Sequence, residues 1–553
     1  MELLEQHFDT AFSAPEGIQK LRELILTLAM QGKLVPQSPS DKPANTLLKD
    51  IEAEKKRLAK EGKIKAPKPQ SEIGIEELPG ALPDGWVWVR NGFLFGLRKG
   101  KVPKDLSESA GSIPYLDIEA LDRGNVRRYT EDAKAPQSTD KDILVVCDGS
   151  RSGLILEGKN GAIGSTLSVI ETPLFIQPFV KLIFRQGYQR MNSSMKGAAI
   201  PHLDSKNLLL DVIGLPPLAE QKRILEKVDQ LLARCNALET LRHSREGKRL
   251  AIHAAALSQL LDTAGNGSPD DAWAFITQHF SDLYAVKENV AELRKAILQL
   301  AVMGKLVPQD PNDPPASQLL KEIEAEKKRL VKEGKIKAPK PLPEIKPEDE
   351  LPFVLPETWL WVRIEDIAEA IDYGTSQKTG GDSSLVPVYR MGNIVDGRLI
   401  DDGFKYLPAD IDDLPKLYLK RNDILFNRTN SYELVGKSAL YSGQNDCATF
   451  ASYLIRIRLY EKRLQPKFFS LAMNAPYFRS TQIEPEIVQQ CGQANFNGTK
   501  LSLCLVPLPP LNEQGRIVEK IDQLMALCDT LEQQINTATG KQTELLNAMM
   551  AQL

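Results

Sequence analysis

A chain of 553 residues that is 42% apolar and 26% charged carries enough apolar material for several buried cores, about three to five units at roughly 100–200 residues each. Its net charge of −3 gives no overall surplus of cations for a phosphate-rich partner, so a nucleic-acid reading has to rest on local organisation. Six cysteines (147, 235, 447, 491, 504 and 528) form no CxxC pair, and no histidine joins them at ligand spacing, which argues against structural zinc or any other metal site.

Taken in order, residues 1–81 read as an N-terminal helical repeat and tether. Ile18, Leu21, Ile25 and Leu28 fall at heptad spacing, and Gly32 marks the stop. The Lys/Glu-dense stretch 49–69 predicts a charged helix running into a Pro-rich tether, KIKAPKP, with Lys55, Lys56 and Arg57 on a solvated face. The opening Met1-Glu2-Leu3-Leu4-Glu5 shows no signal-peptide pattern, and no apolar run reaches membrane-spanning length, so a cytoplasmic protein is expected. Residues 82–214 open with LPDGWVWVR and continue in short apolar runs, DILVV (142–146) and STLSVI (165–170), between Gly, Asp and Asn. These are strand signals, and they predict a first mixed α/β head.

Residues 215–354 form a central spacer and tether. LPPLAEQ (215–221) leads into Ile224, Val228, Leu231, Cys235 and Leu238, a coiled-coil seam. A helix from about Glu220 to Leu261 would be roughly 60 Å long, far more than a small domain needs. After a connector near 262–277 the chain repeats itself: residues 278–341 match 6–69 without gaps at 41 of 64 positions, including GKLVPQ and IEAEKKRL. The seam returns as Val290, Leu293, Ile297 and Leu300 with Gly304 at the stop, and Lys327, Lys328 and Arg329 repeat the basic helix. A second head, 355–507, opens with LPETWLWVR and carries the strand signals DILFN and YLIRIRL. Residues 508–531 then match 215–238 at 16 of 24 positions, and the seam Ile517, Ile521, Leu524, Cys528, Leu531, Ile535 makes 508–553 a C-terminal spacer helix. The supports are duplicated and the heads are not, so the heads face different targets. The two conserved blocks meet in mid-chain.

Catalytic motifs are only approached. GLILEGKN (153–160) and SYELVGKS (431–438) each miss the phosphate-binding loop GxxxxGK[ST] by one residue, and strand signals follow where that loop needs a helix. A glycine turn shared by the heads at matching positions is the better reading. Asn474-Ala-Pro-Tyr-Phe resembles the Asn-Pro-Pro-Tyr loop of amino-methyltransferases with one proline missing, and a helix break accounts for it. The five histidines (7, 202, 243, 253, 279) suggest no catalytic arrangement; His7 and His279, repeat partners in QHF triplets, read as packing or helix-start residues. No catalytic residue is assigned.

Two divergent heads, each closed by LPPL-x-EQ and an I-x3-[VI]-x2-L-x3-C helix, resemble the specificity (S) subunits of type I restriction-modification systems. The GKLVPQ and IEAEKKRL blocks resemble the subgroup with an extra N-terminal copy of the central repeat. The resemblance implies an α+β fold in which two mixed α/β target recognition domains are separated by long antiparallel coiled-coil helices with pseudo-two-fold symmetry. It implies a non-catalytic subunit of a bacterial or archaeal complex that reads a bipartite target in double-stranded DNA. Partners would be two methyltransferase subunits and restriction/translocase subunits, with no membrane. This chain would bind no cofactor, and S-adenosylmethionine, ATP and Mg²⁺ would sit on those partners.

Base-reading residues do not follow from the family, so candidates come from polar and basic side chains in Gly-rich loops, suited to groove edges and phosphates. In the first head these are Arg98, Lys99, Lys101, Lys104, Arg151, Ser152, Lys159, Asn160 and His202. In the second they are Thr375, Ser376, Gln377, Lys378, Arg390, Asn393, Asn427, Arg428, Thr429, Asn430, Tyr432, Asn495 and Asn497. A two-headed scaffold gripping proteins is the alternative at this point.

Overall fold

The computed structural model describes residues 10–551 apart from 11, 67–68, 110, 194–201, 263–268, 337–341, 343–344, 346–350 and 491–492. His7, residues 67–68 of the first Pro-rich tether, most of the second tether and residues 263–268 of the connector lie outside the described residues. The chain mixes helices and strands and divides into two compact units, residues 1–244 with 539–553, and residues 245–538. Each unit holds one head and one copy of the duplicated support. Unit 1 also holds the start of the first long helix, Leu218–Leu260, and the end of the second, Leu511–Ala551; unit 2 holds the converse.

In unit 1 the repeat helix Gly17–Met30 runs antiparallel to the start of the first long helix. Arg22 reaches Asn236 at 2.8 Å and Glu239 at 2.6 Å, while further along the chain Asp41 holds Arg223 at 2.6 Å. Unit 2 repeats the pattern: Arg294 meets Asp529 at 2.7 Å, and Asp313 meets Arg516 at 2.7 Å. The seam positions Ile224, Val228, Cys235, Ile517, Ile521 and Cys528 are all buried. Leu238 is a correction, 49% exposed, because its turn meets the repeat helix through Asn236 and Glu239, which hold Arg22. Gly32 and Gly304 stop their helices with φ of +68° and +69°, and a Cβ there would stand 2.5 and 2.4 Å from Pro83 and Pro356. Glycine is therefore needed on both conformational and steric grounds.

The motif residues of three separate blocks converge on one buried carboxylate per unit. Glu220 of LPPLAEQ accepts from the Trp86 indole N–H at 3.0 Å and the Gln37 amide at 3.2 Å. Glu513 accepts from Trp359 at 2.9 Å and Gln309 at 2.6 Å. The next glutamine folds back onto the helix-start proline, Gln221 to Pro216 O at 2.8 Å and Gln514 to Pro509 O at 2.9 Å. Burial raises the pKa of both carboxyls, against the lowering effect of their donors. The LPPL-x-EQ, GKLVPQ and GW/TW motifs are thus read as a structural clamp between head, repeat and long helix.

The basic helices Ala44–Lys60 and Ala316–Lys332 keep most charges on a solvated face, where Arg57 pairs with Glu54 and Arg329 with Glu326. Lys55 departs from that expectation. It is 7% exposed and donates to Phe93 O at 2.9 Å, and its repeat partner Lys327 donates to Glu365 O at 2.8 Å. Burial pushes the Lys55 pKa down to about 8. The connector's described part is a helix, Pro269–Gln278; His279 follows it, its ring 4.7 Å from that of Phe275, at the start of Phe280–Leu283.

The two heads share a strand plan. In the first, a four-stranded antiparallel sheet orders Gly96–Lys99, Leu167–Glu171, Ile143–Val146 and Ile155–Glu157. In the second the order is Ala368–Tyr373, Leu454–Leu459, Ile424–Asn427 and Ser438–Leu440. Each head adds a smaller sheet built around one parallel pair, Ile113–Leu116 with Gly161–Ile163 and Val386–Tyr389 with Thr449–Phe450. The central strands Ile143–Val146 and Ile424–Asn427 are almost wholly Val, Ile, Leu or Phe and are buried throughout, as a strand covered on both faces requires.

The glycine turn exists, in a different register from the one the motif match suggests. Gly153 N–H donates to Val146 O, and Gly436 N–H donates to Asn427 O, each after the same central strand. Their φ values are +90° and +94°. Gly436 therefore corresponds to Gly153 and not to Gly158, so the two GxxxxGK-like strings are not matching positions. Asn474 closes a helix end by bonding Ser438 and Ser470, and Tyr477 behind it is buried, which makes the NAPYF string a structural break.

Candidate nucleic-acid interface

In an antiparallel sheet, alternate strands end on the same side. The loops after Lys99 and after Val146, and the turn before Leu167, thus leave one end of the first head's main sheet together. In the second head the loops after Tyr373 and after Asn427, and the turn before Leu454, do the same. Gly100 and Gly374 allow this crowding. A Cβ on either would stand 2.2 or 2.4 Å from a carbonyl oxygen of the crossing turn.

At this end of the first head Asp148 is the junction. It accepts from His202 Nδ1 at 2.7 Å and lies 3.5 Å from Lys99 Nζ. Lys99 and His202 are both 60% exposed, so their outer faces are available to a ligand. Lys101 and Lys104 are exposed on the adjoining loop, along a groove of about 290 Å³ that also meets Asp105, Asp132 and Lys134. Arg151 leaves the same loop but is paired with Asp122 at 2.9 Å.

The same positions in the second head carry different chemistry. Cys147 O accepts from Leu203 N and Arg428 O from Phe496 N, so Asp148 and His202 match Thr429 and Asn495. Thr429 Oγ1 donates to Asn495 Oδ1 at 2.9 Å. The Arg428 guanidinium lies 5.0 Å over the Tyr373 ring and donates to Ser452 O at 3.2 Å. Tyr373, Tyr432 and Tyr453 are exposed, with Ser376, Gln377 and Lys378 on the loop beyond Gly374. Asn497 accepts from Lys500 N at 2.8 Å and caps the helix Gly498–Leu503, as Asp204 caps Ser205–Leu210. Asn430 bonds the Ser431 amide.

Other sequence candidates sit elsewhere or inward. Lys159 and Asn160 lie at the opposite end of the first sheet, where Glu157 pairs with Ile143, and they bond Ala120 O and Asp140. Arg98 is held by Glu171 at 2.9 Å and by Gln137 O. Ser152, Thr375, Asn393 and Asn427 are buried. Ser152 donates to Gly149 O, and Asn393 donates to Ile400 O and Asp402 O, while Arg390 donates to Gly403 O. These groups shape loops. Asp148, Tyr373 and Tyr453 were missed by sequence reasoning, although Asp148 and Tyr373 each adjoin a picked residue or glycine at a strand end.

Two heads of one plan, each presenting a differently furnished loop end and clamped to a duplicated helical support, define the class to be matched. The family model described as "Type I restriction modification DNA specificity domain" matches twice, over residues 83–246 and 356–538. The chain is 34% identical over 559 residues to the type I restriction enzyme EcoAI specificity subunit of Escherichia coli, covering 96% of this chain and 93% of that one. It is 32% identical to the EcoEI specificity subunit of Escherichia coli over similar coverage, 96% and 93%. The crystal structure of the HsdS subunit from Thermoanaerobacter tengcongensis is similar with a TM-score of 0.40 at 17% identity, covering 86% of this chain and 98% of that one. This chain belongs to the type I restriction-modification specificity family. Among the described residues no helix is long and apolar enough to cross a membrane.

Proposed function

We propose that the chain is the DNA sequence-specificity subunit of a type I restriction-modification complex and is itself non-catalytic. Each head reads one half of a bipartite site in double-stranded DNA, and the long helices set the gap. The duplicated supports dock two methyltransferase subunits, restriction/translocase subunits complete the complex, and S-adenosylmethionine, ATP and Mg²⁺ act on those partners. The observation that carries this reading is the matched loop end: one backbone plan in two heads, furnished with Lys99, Lys101, Asp148 and His202 in one and Tyr373, Arg428, Thr429 and Asn495 in the other. Amide, carboxylate, imidazole and guanidinium groups are those that discriminate base edges, whereas Lys101, Lys104, Lys134 and Lys378 suit phosphates.

The test reconstitutes the chain with its methyltransferase and maps modified bases across a genome, before and after residues 86–207 are replaced by those of a relative. One half of the recognised site should change and the other stay. Change in both halves, methyl transfer by the purified chain alone, or duplex binding with no salt dependence defeats the reading; the last outcome favours a protein scaffold.

A further inference from the structure

The two long helices end in unlike joints. In unit 2, His253 is 1% exposed; its Nε2 is hydrogen-bonded to the Tyr284 hydroxyl at 3.0 Å, and the rings meet edge-on with centroids 5.1 Å apart. Ala256, Leu257, Ile276, Leu283 and Ile297 belong to the same buried cluster. The offsets of the duplication, 293 for the long helix and 272 for the repeat block, make Leu546 the counterpart of His253 and Phe12 the counterpart of Tyr284. In unit 1 that joint is apolar: Phe12, Ala14, Leu24, Leu546 and Met549 form one buried cluster. Small Ala256 has become Met549 at the same step.

The ion pairs that hold the blocks do not sort them, since Arg22 with Glu239 and Arg294 with Glu532 are repeat counterparts, and most of the 41 identical positions of 64 lie beyond Gly32 and Gly304. A crossed arrangement would set Tyr284 against Leu546 and His253 against Phe12, leaving a hydroxyl and an imidazole buried without partners. We infer that His253–Tyr284 and Phe12–Leu546 form a pairing code, by which each long helix end accepts one copy of the duplicated block and rejects the other. The chain then closes with its halves in order, and neither crosses within a molecule nor exchanges blocks with a second copy. The inference concerns assembly and stands whatever the heads bind.

The experiment traps the pairings as disulfides in the full chain refolded from denaturant, with the exposed Cys447 replaced by Ser and bonds located by peptide mapping. Gln542 Nε2 lies 3.4 Å from Ser13 Oγ, so Ser13→Cys with Gln542→Cys reports the native joint. Ala285 is the repeat partner of Ser13, so Ala285→Cys with Gln542→Cys reports the crossed joint. With native pairs the first bond should dominate. In the His253→Leu/Tyr284→Phe background, where both joints are apolar, the crossed bond should rise on the order of tenfold, within chains or as linked dimers. Circular dichroism checks that this variant folds; if it does not, the Phe12→Tyr/Leu546→His exchange, which makes both joints polar, should give the same rise. An unchanged yield of the crossed bond in a folded variant overturns the code, as does failure of the native bond to form.

Discussion

Removing the carboxylate clamp of the second unit is the sharpest test of how the supports hold a head. Glu513 is 1% exposed and Trp359 is 3% exposed, so no water replaces the acceptor that Glu513→Ala removes from the Trp359 indole N–H. The orphaned donor costs about 1–3 kcal/mol, and the lost side-chain packing adds roughly 1 kcal/mol. Gln309 is exposed and finds water instead. The deletion also relieves a desolvated charge, so the net loss comes to about 1–3 kcal/mol. Glu513→Gln keeps an oxygen for the indole and should cost below about 1 kcal/mol. The sign with pH is distinctive. Burial raises the folded-state pKa of Glu513 above the ordinary 4.5, so the folded chain holds that proton more tightly than the unfolded one. Its contribution is greatest below 4.5 and is lost as pH rises through the folded value. The Gln variant should therefore gain on the native chain over that window. Denaturant titrations at several pH values, with hydrogen exchange in peptides covering 355–363 and 511–531, measure both effects. An alanine variant within about 0.5 kcal/mol of native, or a Gln variant that loses ground with rising pH, would refute the clamp.

Lys55 titrates with the opposite sense. Its folded pKa of about 8 lies below the unfolded value, so unit 1 should gain stability from about pH 8 to 10.5, on the order of 1–3 kcal/mol; Lys55→Met should abolish that rise in denaturant titrations. Gly374→Ala places a methyl 2.4 Å from the carbonyl oxygens of Phe450 and Ala451; a loss of about 2–4 kcal/mol should appear as faster hydrogen exchange in the second head alone. A helical turn inserted within 239–250 should lengthen the spacer by about 5.4 Å and alter the gap between the half-sites while the bases read stay the same, as genome-wide methylation mapping would show.

Helices and their stops were legible because heptad spacing and a left-handed Gly are local properties of the chain. The first long helix was expected at about 220–261 and runs from Leu218 to Leu260. Strand runs such as DILVV and DILFN fell on central strands for the same reason, since continuous burial selects continuous apolar sequence. What sequence order alone misjudged depends on partners far along the chain. Leu238 fits the seam by spacing, but that turn meets the repeat helix through Asn236 and Glu239, which hold Arg22, and Leu238 stays 49% exposed. Lys55 reads as one cation among many until the carbonyls of Gly92 and Phe93 are placed beside it. The glycine turns were found and then misaligned, because string similarity rewards GK whereas the hairpin geometry rewards a positive φ two residues before the strand. At the candidate interface, chemistry picked Lys99, His202, Arg428 and Asn495, which the fold gathers. It also picked Ser152 and Asn393, whose polarity serves the loops themselves.

The first head is entered along Val87–Arg90 and left along Val212–Leu215, and these strands pair antiparallel, Val87 opposite Leu215. The second is entered and left through Leu360–Arg363 and Leu505–Leu508 in the same way. Each head thus plugs into its mount through two adjacent prongs, like a cartridge. The tryptophan just ahead of the first prong and the glutamate just beyond the second lock that plug, and Phe93 and Glu365, whose carbonyls hold Lys55 and Lys327, add a second catch; the loop end takes part in neither and is free to diverge.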